Sequence, residues 1–187
     1  EDEHLVFFFF SAGLVTHPAP GNYTGTLVNA ILYHCKDIKG VGDQKRPGIV
    51  HRLDKGTSGV MVIAKNQACH EGLVLLFSTH AIERYYEAII MTSNIESHGK
   101  IESTIGRDPH NRLRMKANVN HGKNAITHFK LIKQFRHHAH MEFKLETGRT
   151  HQIRVHASEV LKRAILCDPT YGNPHDQLVR VGGKIKE

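Results

Sequence analysis

The alternation of apolar and polar residues predicts short β-strands in both halves of the chain. Residues 5–10, LVFFFF, are typical of a buried strand, and a second apolar run follows at 60–66. Residues 83–90 alternate with a period of two, which places Arg84, Tyr86 and Ala88 on one strand face. Two further segments, AITHFKLIKQF and HMEFKLET, predict a pair of antiparallel strands, the second with Met141, Phe143 and Leu145 on its apolar face.

A period near 3.6 predicts three helices. The first carries Leu27, Ala30 and Ile31 and is capped by Thr24 or Thr26. The second covers Ala68–Thr79 and directs four side chains inward: Cys69, Leu73, Leu76 and Phe77. The third opens at Thr150 and carries Gln152 to Leu161.

The segments between these elements are polar. Residues 36–50 are expected to form an exposed basic loop, and residues 91–124 a polar hairpin with a mobile tip. Strands and helices follow one another in mixed order, which favours an α+β fold over a doubly wound sheet. A length of 187 residues suits a single domain.

The charge of the chain favours an anionic partner. Its formal net charge is +7 and its pI is near 9.4, so nucleic acid is the first expectation and an acidic membrane surface the second. An ordinary basic enzyme is the alternative. No apolar stretch is long enough to span a bilayer, and three separated cysteines favour a reducing compartment over a disulfide framework.

The run HRLDKGTSG, residues 51–59, is the first motif that carries candidate chemistry. Asp54 lies between Arg52 and Lys55, which favour its ionised form, and a charged carboxylate is able to act as nucleophile or base. Thr57 and Ser58 are able to bond loop amides or a ligand. The alternative is a capping aspartate in a surface turn.

The run LETGRTHQIRVH, residues 145–156, is the second motif and supplies Arg149, His151, Gln152 and Arg154. Arg154 lies near the start of the third predicted helix, where it is able to pair with a carboxylate from another element or to remain solvated. Tyr86 is able to stack on a base, or to serve as an ordinary sheet tyrosine.

Other groups give weaker signals. The segment 106–116 carries Arg107 and Arg112 around turn residues and is able to grip phosphates or to be merely solvated. The histidines at 137, 138 and 140 cluster without cysteine or carboxylate at a matched spacing, so no metal site is predicted.

Together these segments resemble the RluA family of RNA pseudouridine synthases. The similarity begins with AGLVTHPAPGNYTG and continues through RPGIVHRLDKGTSGVMVIAKN and ERYYEAI. It then includes the segment GRDP, the second motif and CDPTYG. The resemblance implies a mixed, mainly antiparallel bent β-sheet with flanking helices and a central RNA-binding cleft.

The resemblance also implies roles for individual residues. Asp54 matches the catalytic aspartate, and Tyr86 the tyrosine expected to stack on the uracil and assist proton removal. Arg154 matches the basic residue expected to pair with the aspartate, and Arg52 is expected to help extrude the target nucleotide. The further RNA contacts expected are Thr57, Ser58, Arg84, Arg107, Arg112, Arg149, His151 and Gln152.

Three departures from the family pattern accompany the resemblance. Phe10-Ser11 replaces the usual Lys-Pro, and Arg163 and Cys167 replace small residues after the second motif. Residues 1–187 are expected to be one catalytic domain without the family's C-terminal closing elements or an N-terminal RNA-binding domain.

The sequence therefore predicts an intracellular enzyme that isomerises uridine to pseudouridine in structured RNA, with rRNA favoured over tRNA or mRNA. It predicts neither cofactor nor metal, no membrane partner and a monomer; the compartment is cytoplasmic in a bacterium or an organelle in a eukaryote. The alternative is a catalytically impaired RNA-binding relative, and a poorer one is a His-dependent metal hydrolase.

Overall fold

The structure, a computed structural model, describes residues 1–18 and 21–173. Its internal contacts divide the chain into two compact units, Glu1–Ile82 and Glu83–Glu187. Among the described residues, none of the helices combines the length and apolar character that crossing a membrane requires.

The first unit is built around a two-stranded antiparallel sheet. Its elements are β1 (Leu5–Phe10), α1 (Leu27–His34), β2 (Gly42–Asp43), β3 (Arg46–Pro47), β4 (Gly59–Ala64) and α2 (Gln67–Ser78). β1 pairs with β4, so that Phe10 lies opposite Gly59. One face buries Phe10, Met61 and Ile63. Both predicted strands are confirmed, but the burial predicted for residues 5–10 holds on one face only, because Phe7 is 58% exposed and Phe9 67% exposed.

Helix α1 confirms the first predicted helix and chooses between its two candidate caps. The Thr26 hydroxyl accepts a hydrogen bond from the Asn29 N–H at 3.4 Å, and the Asn29 side-chain oxygen accepts one from the Thr26 N–H at 3.0 Å. This reciprocal capping box satisfies two N–H groups that a helix start otherwise leaves unpaired. Thr26 is therefore the cap, and Thr24 is exposed.

Two predictions for the first unit are wrong. The segment 36–50 is not a wholly exposed loop, because Ile38 and Val41 are buried and β2 pairs with β3. Helix α2 forms as predicted but has no buried residue, and Leu76 is 42% exposed rather than inward. A two-stranded sheet covers only part of a helix, so α2 packs on β4 with a partly exposed apolar surface.

The second unit contains a five-stranded antiparallel sheet. Its elements are β5 (Tyr85–Met91), β6 (His98–Arg107), β7 (Met115–Ala117), β8 (Lys123–Gln134), β9 (His138–Leu145) and α3 (Gln152–Val155). The strand order is β5-β9-β8-β6-β7. Phe143 on β9 lies opposite Tyr86 and Phe129, and packs with Ile90 and Met141 in the main core cluster. The predicted strands at 83–90, 125–135 and 140–147 are confirmed.

The predicted polar hairpin at 91–124 is only partly right, because it contains the ten-residue strand β6. Its inward side chains are Ile101, Ser103 and Ile105, and polar residues between them face outward. Only two of the three inward residues are apolar, which weakens the period-two signal. The fold class, α+β with mainly antiparallel strands, is confirmed by the strand pairing.

The third predicted helix is divided in two. α3 begins after His151, whose left-handed φ of +57° precedes the helix, so Thr150 does not cap it. A π-helical turn, His156–Val160, follows directly. Such a turn widens the helix and often marks a functional site.

Candidate functional site

The first motif holds Asp54 in a turn beside one buried residue. The Thr57 N–H donates to the Asp54 carbonyl at 2.9 Å, and the Gly13 N–H donates to the Lys55 carbonyl at 2.6 Å. Leu53, 7% exposed, packs into the core beside Asp54. The Asp54 residue itself is half-buried. A main-chain turn with one apolar anchor therefore presents this carboxylate without enclosing it.

The residues next to Asp54 in the chain carry cationic and hydroxyl side chains. Arg52, Lys55 and Ser58 are exposed, and Thr57 is half-buried. At the start of the motif, the His51 ring stacks on Phe77 with centroids 4.8 Å apart. A carboxylate among exposed cations suits an anionic, hydroxyl-bearing ligand.

Strand β5 supplies Tyr86, half-buried at the edge of the main core cluster. Immediately before β5, Arg84 donates from Nη2 to the Glu146 carbonyl at 2.9 Å. Burial lowers the pKa of the Arg84 guanidinium below its ordinary value. A Cβ on Gly148 would lie 2.6 Å from Arg84 Nη1, so the glycine leaves room for the guanidinium. Arg84 thus ties β5 to the second motif.

The second motif is organised by Gln152, which is 3% exposed. Its side-chain oxygen accepts from the Thr147 hydroxyl at 2.8 Å and the Arg149 N–H at 2.9 Å. Its side-chain nitrogen donates to the Ile126 carbonyl at 3.0 Å and the Thr127 hydroxyl at 2.9 Å. The RNA contact predicted for Gln152 is therefore wrong, because all four hydrogen bonds of a buried amide are internal.

His156 extends this network into the core. It is fully buried, with Thr127 Oγ1 2.8 Å from Nδ1 and Ser103 Oγ 3.1 Å from Nε2. Burial lowers the pKa of His156 to about 4, so the imidazole is neutral at neutral pH. No feature of the sequence distinguishes His156 from the other histidines.

Two other residues of the second motif are less buried. Arg149 donates from Nε to the Asn124 carbonyl at 2.8 Å. The Nδ1 atom of His151 lies 2.8 Å from the Tyr171 hydroxyl. Both residues are half-buried.

The side chain of Arg154 pairs with a carboxylate that the sequence reasoning missed. Arg154 Nε donates to Asp168 Oδ2 at 2.7 Å, and Nη2 donates to Oδ1 at 2.9 Å. Burial raises the pKa of Asp168, but hydrogen bonds from Arg154 and the Tyr171 and Thr170 amides outweigh this and lower it overall. The only sequence signal was the position of Asp168 in the CDPTYG segment.

The segment 106–116 forms a hydrogen-bonded turn between β6 and β7. Arg107 Nη1 donates to the Arg112 carbonyl at 2.9 Å, and the Asp108 N–H donates to the Arg114 carbonyl at 3.1 Å. Arg107, Arg112 and the intervening His110 are exposed. The predicted basic loop is therefore an ordered turn with outward-facing cations.

Among the described residues, one group offers three metal-ligand atoms close together: Glu1, His34 and Cys35. Its Glu1 carboxylate already binds Lys65 Nζ at 3.1 Å and His34 Nε2 at 2.6 Å. An ammonium group bound to the same carboxylate disfavours a cation there. The sequence analysis did not predict this group.

Comparison with known proteins gives this arrangement a context. The chain is 47% identical over 187 residues to ribosomal large subunit pseudouridine synthase D of Neisseria meningitidis serogroup B, covering 100% of this chain and 48% of that protein. It is 45% identical over 174 residues to the protein of the same name from Zymomonas mobilis, covering 92% and 54%.

A solved structure supports the same relationship. Human RNA pseudouridylate synthase domain containing 4 is similar with a TM-score of 0.71 and 25% identity, over 98% of this chain and 75% of that one. The chain spans about half the length of the two bacterial relatives.

The sequence profile of the RNA pseudouridylate synthase family matches residues 11–159, which include the whole of both motifs. The resemblance to the RluA-type enzymes is therefore confirmed, and the chain belongs to the RNA pseudouridylate synthase family.

Proposed function

We propose that this chain is an RNA pseudouridine synthase that converts uridine to pseudouridine in structured RNA. The observation that carries the proposal is Asp54, a half-buried carboxylate in a turn with exposed cations, within the segment that matches the family. The bacterial relatives are named for the large ribosomal subunit, so ribosomal RNA is the proposed substrate.

The proposed reaction breaks the bond between ribose C1′ and uracil N1 and joins C1′ to uracil C5. C5 then loses its proton and N1 gains one, so the product is an isomer of uridine. Asp54 either attacks C1′ or removes the 2′ proton to give a glycal; the two routes remain alternatives. Tyr86 stacks on the uracil and assists removal of the C5 proton. Arg154 is the proposed basic residue of this reaction.

The remaining candidates bind RNA in this proposal. A uridine in a folded stem must leave its stack, at a cost of a few kcal/mol, and Arg52 occupies the vacated space. Exposed cations at Arg107 and Arg112 contact phosphates. The other proposed contacts are Thr57, Ser58, Arg84, Arg149 and His151, and no cofactor or metal takes part.

Tritium release from RNA labelled at uridine C5 tests the proposal. Wild-type protein should release tritium from ribosomal RNA, and Asp54→Asn should lower the rate roughly a thousandfold or more. Binding of the same RNA should change by less than about twofold. Asp37→Asn alters an exposed aspartate of the same unit and serves as the control.

A second candidate function is RNA binding without catalysis. Phe10 stands at the position where the family usually has lysine, and it is fully buried at the end of β1. The chain therefore has no positive charge at this position. Wild-type protein that binds ribosomal RNA and releases no tritium would favour this function. The monomeric state and intracellular location stay predictions.

A further inference from the structure

The loop that follows the π-helical turn folds back onto Arg154. Asp168 is 6% exposed, and its two oxygens accept the parallel bonds from Nε and Nη2 at 2.7 and 2.9 Å. A bidentate pair fixes the plane of a guanidinium as well as its distance, which a single hydrogen bond does not. The Arg154 side chain therefore has one defined orientation.

The carboxylate is itself held by the main chain. The Thr170 N–H donates to Asp168 Oδ1 at 2.8 Å, and the Tyr171 N–H donates to the same atom at 3.0 Å. The Gly172 N–H also donates to the Asp168 carbonyl at 3.0 Å. These bonds prevent rotation of the Asp168 carboxylate. The carboxylate in turn fixes the orientation of the Arg154 guanidinium.

Tyr171 forms a second wall beside Arg154. Its ring centroid lies 5.0 Å from Arg154 Cζ, and the residue is 7% exposed. The Tyr171 hydroxyl accepts from the Met115 N–H at 2.8 Å, which fixes the far end of the ring. A guanidinium near a fixed aromatic ring has less freedom to tilt.

We propose that Asp168, together with the ring of Tyr171, is a positioning residue that aims Arg154 for the isomerisation. The proposal rests on the proposed function. Its physical reason is that a charge displaced by about 1 Å loses much of its effect on a reacting group. If the Asp168–Arg154 pair only joined the loop to α3, it would contribute to stability and its loss would leave the rate of the chemical step unchanged.

The test compares single-turnover and steady-state tritium release by the full chain. Asp168→Asn keeps an oxygen for the Thr170 and Tyr171 amides and removes the charge that holds Arg154. We expect kcat to fall roughly 10- to 100-fold while KM for RNA changes by less than about twofold. Unchanged kcat in a folded Asp168→Asn protein would overturn the proposal.

Glu159→Gln is the matched control. Its carboxylate accepts from the Ala117 N–H at 2.8 Å and so ties the π-helical turn to β7, without a bond to Arg154. We expect Glu159→Gln to lower the unfolding midpoint and leave kcat within about twofold of wild type. An equal loss of kcat in Glu159→Gln would identify a general loosening of this region and overturn the proposal.

A double-mutant cycle separates action through Arg154 from direct action. In an Arg154→Lys background, Asp168→Asn should lower kcat by less than about threefold, because the bidentate pair is already gone. The same fold-loss in both backgrounds would overturn the proposal. No tritium release by the wild type would overturn the proposed function itself, a result distinct from active wild type with an active Asp168→Asn.

Tyr171 supplies a second pair of variants should Asp168→Asn fail to fold. Tyr171→Phe keeps the ring, and Tyr171→Leu removes it. We expect kcat of Tyr171→Phe to exceed that of Tyr171→Leu at least about fivefold, with similar KM. Equal kcat values would overturn the role of the ring in positioning Arg154.

Discussion

The two motifs differ in what their polar side chains do. The first motif is shaped by main-chain bonds and one apolar anchor, Leu53, and it leaves Arg52 and Ser58 exposed. The second motif uses Gln152 and His156 to bind its own unit from within. Two runs equally dense in polar residues thus differ in burial: the first leaves cations and a hydroxyl exposed, and the second buries two polar side chains that hydrogen-bond within its own unit.

The largest expected effect on stability is at the centre of the second motif. Gln152→Met fills a similar volume but removes all four hydrogen bonds, leaving buried partners such as the Ile126 carbonyl unpaired. We expect the free energy of unfolding to fall by roughly 4 kcal/mol in urea titration. Ser58→Ala, in the exposed part of the first motif, should change it by less than about 0.5 kcal/mol. Similar losses of unfolding free energy in Gln152→Met and Ser58→Ala would contradict the proposed difference between the two motifs.

The apolar anchor of the first motif should come next. Leu53→Ala removes a side chain that is 7% exposed, and we expect a loss of about 3 kcal/mol in the same titration. Leu113→Ala is the control, since Leu113 is 84% exposed and has little apolar contact to lose. A near-neutral Leu53→Ala would mean that main-chain bonds alone shape the turn.

A smaller effect should appear with pH. The pKa of His156 is about 4 in the folded protein, and the ordinary value is 6.5. Between these two pH values His156 is protonated in the unfolded chain and neutral in the folded one. Stability therefore falls as pH falls through this window, by about 2 kcal/mol between pH 7 and 5 from this group. Urea titrations of wild type and His156→Gln at several pH values measure this contribution as the difference between their free energies of unfolding. Parallel pH curves would contradict the prediction.

The smallest effect on stability is expected at Arg52, where RNA binding should respond instead. Arg52→Gln should change the free energy of unfolding by less than about 0.5 kcal/mol. If Arg52 contacts a phosphate, the slope of log affinity for ribosomal RNA against log salt should decrease by about one. Arg136→Gln, another exposed arginine, is the control. An unchanged slope would mean that Arg52 does not contact a phosphate.

Much of the fold was predictable because local patterns coincide with burial. On β9 the alternation of Met141 and Phe143 with charged residues is also the alternation of buried and half-buried positions. The Thr26 cap is equally local, since both partners lie within one helical turn. Strand β6 was missed because Ser103 faces inward, and a buried serine interrupts the apolar alternation.

The candidate site was predictable only as a set of residue types. The resemblance named Asp54, Tyr86 and Arg154, but not what holds each of them. Asp168 lies 14 residues from Arg154, and Thr127 lies 29 from His156, distances at which no helical or strand period relates two side chains. Such pairs form only once the sheet and the returning loop bring them together.

By itself, the sequence determined most of the longer helices and strands, the α+β class and the family, because each depends on the order of neighbouring residues. Only the tertiary structure decided that Gln152 is an internal brace, that His156 is a neutral core residue, and that Arg154 has Asp168 as a partner. The physical reason is that burial and pairing of a polar side chain depend on groups distant in the chain, whereas its residue type is local.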